Sequence, residues 1–242
     1  MKVAHKRPVV CQHSPVVAVA LDVRLFGGHL ISETPESADL SRNELRSRNL
    51  PGVDCEQRGK MAQRVCPWWV GYLLISPLRR WFQNPEKILG PHIREGMTVL
   101  EIGPGMGFFT IPAAVLVGAR GRVITVDVQE KMLNVLMRRA KKYGVAERID
   151  ARMCAPDDIG VTEPVDVCLA INVAHEAPDV PALFSQIRSI LKPGGKMLLV
   201  EPKHHVSEAD FQVTLDQAIE AGFEVAGTPT ISGRRSVLLV AV

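Results

Sequence analysis

The sequence has few cysteines, no long apolar run and little net charge, and each scarcity excludes a class of protein. Five cysteines occur among 242 residues, with no C-x-x-C pair. The odd count argues against a disulfide framework or a zinc ribbon and fits the reducing cytoplasm. No stretch reaches about 18 uninterrupted apolar residues, so no membrane span is expected. Polar residues interrupt the apolar patch near the start, which argues against a signal peptide.

The formal net charge is +3 at pH 7, and no long basic run occurs. The densest basic cluster, residues 138–142, falls late in a predicted helix, where the helix dipole stabilises cations. We interpret this cluster as a solvated helix face, so nucleic acid is not an expected partner. With 46% apolar residues, the chain is long enough for one α/β domain with a substantial core.

Residues 1–63 show little sustained hydrophobic period and include a polar stretch at 32–48. This pattern predicts an N-terminal extension that is poorly defined or flexible. The composition changes in residues 64–92, which contain all three tryptophans of the chain. Aromatic side chains bury large areas, so this segment either packs on a core edge or covers a ligand mouth.

From residue 98 onward, apolar runs alternate with amphipathic segments, which predicts βαβ units and a parallel sheet. The predicted strands cover residues 98–103, 122–128, 149–154, 165–171, 196–201, 224–230 and 236–242. The predicted helices cover residues 85–93, 108–117, 129–143, 180–191 and 207–221. The last two strands are joined by a link that is too short for a parallel crossover, so we expect them to be antiparallel.

Three glycines at alternate positions, 103, 105 and 107, connect the strand at 98–103 to the apolar helix that follows. Glycine lacks Cβ, so the backbone can take positive φ and a ligand can approach it closely. The helix after the turn offers free N–H groups and the positive end of its dipole. A dinucleotide fingerprint, G-x-G-x-x-G, requires glycine at position 108, where this chain has Phe108.

The pattern is therefore E-x-G-x-G-x-G, beginning at Glu101. It resembles motif I of the class I S-adenosylmethionine (SAM)-dependent methyltransferases. The resemblance covers about residues 64–242 and implies a three-layer, Rossmann-like α/β fold. Its seven-stranded, mostly parallel sheet would have the order 3-2-1-4-5-7-6, with an antiparallel last strand. The resemblance also implies SAM as cofactor and a methyltransferase domain over 64–242 with a helical aromatic cap at 64–92.

Asp127 ends the second predicted strand, 24 residues after Gly103, where a carboxylate can accept hydrogen bonds from both ribose hydroxyls. It could instead cap the helix that follows. The resemblance places Asn172 at the methionine end of the cofactor. The family's usual acidic contact to adenine falls on Ala155, which cannot make it, so either Asp157 or Asp158 substitutes for it or backbone groups serve instead. The expected cofactor-binding residues are Glu101, Gly103, Pro104, Gly105, Gly107, Phe108, Asp127, Val128, Asp157 and Asn172.

Histidines follow two neighbouring predicted strands, His175 after the fourth and His205 after the fifth. Histidine can accept the proton that a nucleophile loses, so both are candidate catalytic residues, although a lone histidine can also be a structural hydrogen bonder. His204 and Glu176 add possible metal ligands. Adjacent histidines point apart and no H-x-x-x-H spacing occurs, so no metal site is expected.

These residues together predict an enzyme that transfers a methyl group from SAM to a small molecule, in the cytoplasm. The acceptor atom would be N, O, S or a metalloid; Cys66 beside two tryptophans leaves a thiophilic acceptor open. The segment after the fourth strand lacks the (N/D/S)-P-P-(Y/F) pattern of amino-methylating nucleic-acid enzymes. The alternatives are a SAM-binding regulatory protein without transferase activity, and a protein or RNA methyltransferase.

Overall fold

The computed structural model describes Arg79 and residues 83–242. The predicted extension at 1–63 lies outside the described residues. So do residues 64–78 and 80–82 of the predicted cap at 64–92. The described part contains strands β1 (Thr98–Ile102), β2 (Arg122–Asp127), β3 (Ile149–Met153), β4 (Val165–Ile171), β5 (Leu191–Pro202), β6 (Phe223–Gly227) and β7 (Arg234–Ala241). Its helices are α1 (Pro85–Leu89), α2 (Thr110–Leu116), α3 (Glu130–Lys142), α4 (Val180–Ile190) and α5 (Glu208–Glu220).

The seven strands form one sheet in the order β3-β2-β1-β4-β5-β7-β6, which confirms the predicted order. β1 pairs in parallel with both β2 and β4. β7 is antiparallel to β5 and to β6, as predicted. The chain runs outward from β1 to β3 and then returns to β4 on the other side of β1. In open α/β sheets, ligands bind at the carboxyl edge beside such a reversal.

Alternate residues of each strand face opposite sides of the sheet and build two cores. Val99 of β1 packs in the core that includes Leu136 of α3, whereas Leu100 packs in the core that includes Phe184 of α4. Helices α1 to α3 cover the first face, and α4 and α5 cover the second. Each fully buried large apolar side chain stabilises the fold by roughly 1.5–3 kcal/mol. No helix among the described residues combines the length and apolarity needed to cross a bilayer.

Two predicted boundaries were wrong, one because of the geometry of the glycine turn and one because of strand pairing. The helix predicted at 108–117 begins at Thr110, because Gly107 has a φ of 82° and the turn continues through Phe109. The strand predicted at 196–201 begins at Leu191. Leu191 pairs with Val165 and the next pair joins Lys196 to Val167, so residues 192–195 form an irregularity within β5.

Other ends differ by a few residues. α1 stops at Leu89, not at 93, because Gly90 caps it and a proline follows. β6 ends at Gly227, whereas the predicted strand ended at 230. β7 begins at Arg234, whereas the predicted strand began at 236. The predicted N-cap of α5 is confirmed, because the Ser207 hydroxyl accepts a hydrogen bond from the backbone N–H of Asp210 at 3.1 Å.

Candidate functional site

In the turn after β1, the backbone borders an open space. Gly103, Gly105 and Gly107 all have positive φ, between 54° and 82°. A Cβ added to Gly105 would meet nothing within 4 Å, so the space beside this residue is open. A Cβ on Gly103 would lie 2.9 Å from Cγ2 of Val173, which closes the turn from behind. A ligand can therefore approach the turn closely at Gly105.

Glu101, in β1, places a carboxyl group in the apolar interior of the protein. Its side chain is 3% exposed. Burial raises the pKa of Glu101 to about 7; the neighbouring Thr110 opposes this shift and the negative charge of Asp127 adds to it. Within the described residues, Oε2 of Glu101 has no hydrogen-bond partner. A buried, unpartnered oxygen beside a ligand turn is suited to receive a hydrogen bond from a ligand.

Asp127 lies at the carboxyl end of β2 and is 7% exposed. Its Oδ1 accepts a hydrogen bond from the backbone N–H of Gln129 at 2.8 Å. Burial raises the pKa of Asp127, and this effect outweighs the opposing backbone N–H groups of Gln129, Gly105 and Val128. The carboxylate therefore faces the glycine turn and also holds the backbone N–H of Gln129 just before α3, although α3 itself has no side-chain cap.

The loop after β3 carries the two aspartates that are candidates for the adenine contact, and their surroundings differ. Oδ1 of Asp158 accepts a hydrogen bond from the N–H of Gly160 at 2.8 Å, so this carboxylate supports its own loop. Asp157 is exposed, and its backbone carbonyl accepts a hydrogen bond from Gln186. Cys154 is half-buried, and burial and the charge of Asp127 raise the pKa of its thiol to about 11. Cys154 thus lies in the neighbourhood of Asp127, which the sequence did not indicate.

His175 is paired with a carboxylate buried beneath it. Its Nδ1 lies 2.5 Å from Oε2 of Glu201, and its backbone N–H donates to Oε1 of the same residue at 3.3 Å. Glu201 is 1% exposed, at the end of β5. Burial lowers the pKa of His175, but the hydrogen bond and charge of Glu201, together with Glu176, raise it above its ordinary value. The pair orients the imidazole, with Nδ1 directed at Glu201.

The two candidate histidines lie together, since the ring centroids of His175 and His205 are 6.0 Å apart. His204 lies beside His205 with a centroid distance of 4.3 Å, and both are exposed. Partial burial and repulsion by His204, His175 and Arg234 lower the pKa of His205. The described residues contain no group of three side chains suited to hold a metal ion.

Two arginines, Arg234 and Arg79, contact residues at the carboxyl edge of the sheet. Asn172 follows β4 with a φ of 58°, and its Oδ1 accepts a hydrogen bond from Nη1 of Arg234 at 2.7 Å. The guanidinium of Arg79 lies over the ring of Phe108, 4.1 Å from its centroid. Burial and repulsion by Arg234 lower the pKa of Arg79 to about 10. Neither arginine could be found from the sequence, because both lie outside the motifs of the chain.

A family model described as a methyltransferase domain matches residues 93–230, more than half of the chain. The chain belongs to this methyltransferase family. The resemblance stated from E-x-G-x-G-x-G is thereby confirmed, and the cofactor of the methyltransferase is SAM.

Curated relatives of this methyltransferase match about half of the chain. A ubiquinone biosynthesis O-methyltransferase of Paramagnetospirillum magneticum is 29% identical over 144 residues, covering 53% of this chain and 55% of that protein. A ubiquinone/menaquinone biosynthesis C-methyltransferase of Shewanella frigidimarina is 28% identical over 117 residues, covering 47% of each. The chain thus spans about half the length of these relatives.

A solved structure of a SAM-dependent methyltransferase from Aquifex aeolicus shares the fold. It is 24% identical with a TM-score of 0.66, covering 74% of this chain and all of the other. The described residues also fit the polar groups of SAM. The space at Gly105 is open, and Glu101 and Asp127 present buried carboxyl groups beside it.

The structure brings most of the predicted site residues of the methyltransferase to one edge. Glu101, the glycine turn and Asp127 lie together, and Asn172 and His175 follow the neighbouring strand β4. Sequence reasoning missed Glu201 as a functional residue. A signal was present, because Glu201 is a carboxylate that directly follows the buried apolar run 197–200 of β5.

Proposed function

We propose that the protein transfers the methyl group of SAM to a small-molecule acceptor whose nucleophilic atom loses a proton to His175. The observation that carries this proposal is the contact between His175 and Glu201. The pair lies beside the glycine turn, because Val173, two residues before His175, packs behind Gly103. The proposal therefore places a base next to the space that would hold the cofactor.

When bound, SAM supplies a methyl group activated by a positively charged sulfur. In this proposal the open backbone at Gly105 holds the amino-acid part of the cofactor, with Glu101 accepting a hydrogen bond from its ammonium group. Asp127 accepts hydrogen bonds from the ribose hydroxyls. Asn172 lies at the methionine end, and Asp157 remains the proposed polar contact near adenine.

His175 would act through Nε2, because Nδ1 is held by Glu201. We assign the Nδ1 proton to this hydrogen bond, which leaves the Nε2 lone pair directed away from Glu201. The negative charge of Glu201 stabilises the imidazolium that forms after proton transfer. The other task of the chain is to align the two reacting atoms and to exclude water. His205, with its lowered pKa, would stand beside the acceptor in its neutral form.

The proposed acceptor is a hydroxyl group on an aromatic ring. Two observations support this choice. A base is useful only to an acceptor that arrives protonated, and a phenolic hydroxyl has a pKa of about 10. The relative from Paramagnetospirillum is named as an O-methyltransferase of ubiquinone biosynthesis. A thiolate acceptor would need no base, so the geometry favours oxygen over sulfur.

The test combines binding with turnover. Calorimetry should show binding of SAM and S-adenosylhomocysteine but not of NAD. Replacing His175 by Ala should leave SAM affinity nearly unchanged and should lower the methylation of catechols by roughly 100-fold. His92→Ala is the matched control, because His92 lies near Lys196, which is in the middle of β5 and five residues before Glu201. Equal losses in both variants, or loss of SAM affinity in step with activity, would contradict the proposal.

A further inference from the structure

An open cavity of about 450 Å³ lies between α5 and the hairpin formed by β6 and β7. Its walls combine apolar side chains with three cations. The apolar part includes Phe211 and Leu215 of α5. The charged residues that line it are Lys203, Glu208, Arg234 and Arg235. Among the described lining residues, three positive charges thus face one negative charge.

This cavity adjoins the edge that carries His175. Arg234 lines the cavity and also donates a hydrogen bond to Asn172, at the end of β4. Lys203 lines it as well, two residues before His205, and its backbone N–H donates to the carbonyl of Gly233 at 3.3 Å. A molecule seated in the cavity would therefore extend toward the histidines.

Arg235 supplies a second, independent indication of a ligand. Its side chain is 15% exposed, and its Nε is buried without a hydrogen-bond partner among the described residues. Within the described part of the chain, Arg235 forms an ion pair at 3.3 Å with Glu208, whose side chain is 82% exposed. Buried N–H donors are almost always paired with protein, water or ligand. An acceptor oxygen in the cavity would satisfy this donor.

We infer that this cavity binds the methyl acceptor and selects one that joins an apolar body to an anionic group such as a carboxylate. This inference rests on the proposed function, whose acceptor it defines more closely. The apolar walls accommodate a ring, and guanidinium groups pair with carboxylates through charge-assisted hydrogen bonds. The anionic group would lie near Arg235 and Arg234, and the ring would point its hydroxyl toward His175.

The experiment uses the full chain saturated with S-adenosylhomocysteine, so that binding is measured without turnover. The probes are 3,4-dihydroxybenzoate and its methyl ester, which share one ring and differ in charge. Calorimetry should show that the acid binds at least about tenfold more tightly than the ester. Arg235→Met should remove this preference. Arg138→Met, which removes an exposed arginine from α3, should retain it.

A second pair of variants tests the place of binding. Gln212 is exposed on α5 and lines the cavity, whereas its neighbour Val213 is exposed and does not. Gln212→Trp should fill the cavity and weaken the binding of both probes about tenfold or more, while Val213→Trp should not. Equal binding of acid and ester by the wild-type protein, or equal effects of the two tryptophans, would overturn the inference. Binding as expected without methylation of either probe would support the cavity's preference and count against the proposed function alone.

Discussion

Nδ1 of His175 and Oε2 of Glu201 lie 2.5 Å apart, on segments that leave neighbouring parallel strands. The carboxylate is buried and the imidazole is partly open, with side chains 1% and 24% exposed. Such a pair can hold one tautomer of histidine and direct its second nitrogen toward a substrate. The pH dependence of methyl transfer follows from this relationship.

Glu201→Gln should move the pH profile of methyl transfer to lower pH. In the wild-type protein, Glu201 raises the pKa of His175, so the neutral base is populated only as pH rises through this elevated value. The amide removes the negative charge, and burial then lowers the pKa of His175. The limiting rate should fall by about 10- to 100-fold, because the imidazolium loses its partner.

The measurement is kcat against pH at saturating SAM, with the affinity for S-adenosylhomocysteine as control. Glu220→Gln is a suitable matched variant, because Glu220 is an exposed carboxylate at the end of α5 and does not line the cavity. An unchanged midpoint in Glu201→Gln would show that His175 is not the group that titrates.

Glu101→Gln should stabilise the protein without ligand at alkaline pH. Burial raises the pKa of Glu101 from 4.5 to about 7, so the folded state holds a proton that the unfolded state has already lost. The free energy of unfolding therefore decreases as pH rises from 4.5 to about 7, by roughly 3 kcal/mol for this group alone. Glutamine does not titrate, so the free energy of unfolding of the variant should not decrease in this way.

Thermal midpoints at pH 5 and pH 8 would check this sign. The variant should match the wild type at pH 5 and exceed it at pH 8, while binding SAM more weakly at both. A variant that is less stable at both values would mean that the Glu101 carboxyl makes a stabilising contact in the folded state.

Asp127→Asn should weaken SAM binding while leaving the fold intact. The amide oxygen can still accept the hydrogen bond from the backbone N–H of Gln129, so this contact just before α3 is retained. The amide nitrogen cannot accept a hydrogen bond from a ribose hydroxyl. We expect a loss of about 1–3 kcal/mol in the free energy of SAM binding. Calorimetry would measure it, with Glu130→Gln in the first turn of α3 as control. Equal SAM affinities of the wild type and Asp127→Asn would leave Asp127 with only its hydrogen bond to Gln129.

Much of the fold could be predicted because its determinants are local. Apolar runs alternate with helical segments, and the short link before β7 dictates an antiparallel pair. The errors fell where tertiary pairing overrides local signals. Pro193, Gly194 and Gly195 mark a turn in any local analysis, yet pairing of Leu191 with Val165 begins β5 before them.

The candidate site also has a part that could be predicted from the sequence and a part that could not. The glycine turn and Asp127 carry a motif with fixed spacing, so the sequence alone indicated them. The Glu201 partner of His175 and the Arg234 partner of Asn172 come from other strands, 26 and 62 residues away. A spacing pattern holds no information on such contacts, because the sheet brings them together only after it forms.

Asn172 allows a last prediction, which separates backbone strain from side-chain function. Its φ of 58° lies in the left-handed region, which asparagine and glycine tolerate and which alanine adopts at a cost of roughly 1 kcal/mol. Asn172→Gly should therefore keep the free energy of unfolding close to that of the wild type, whereas Asn172→Ala should lower it. Both variants lose the hydrogen bond from Arg234 to Oδ1, so both should change acceptor binding to a similar extent. Denaturant unfolding and calorimetry with 3,4-dihydroxybenzoate would measure the two effects. If the glycine variant is as unstable as the alanine variant, the bond to Arg234, and not the backbone conformation, is what stabilises this turn.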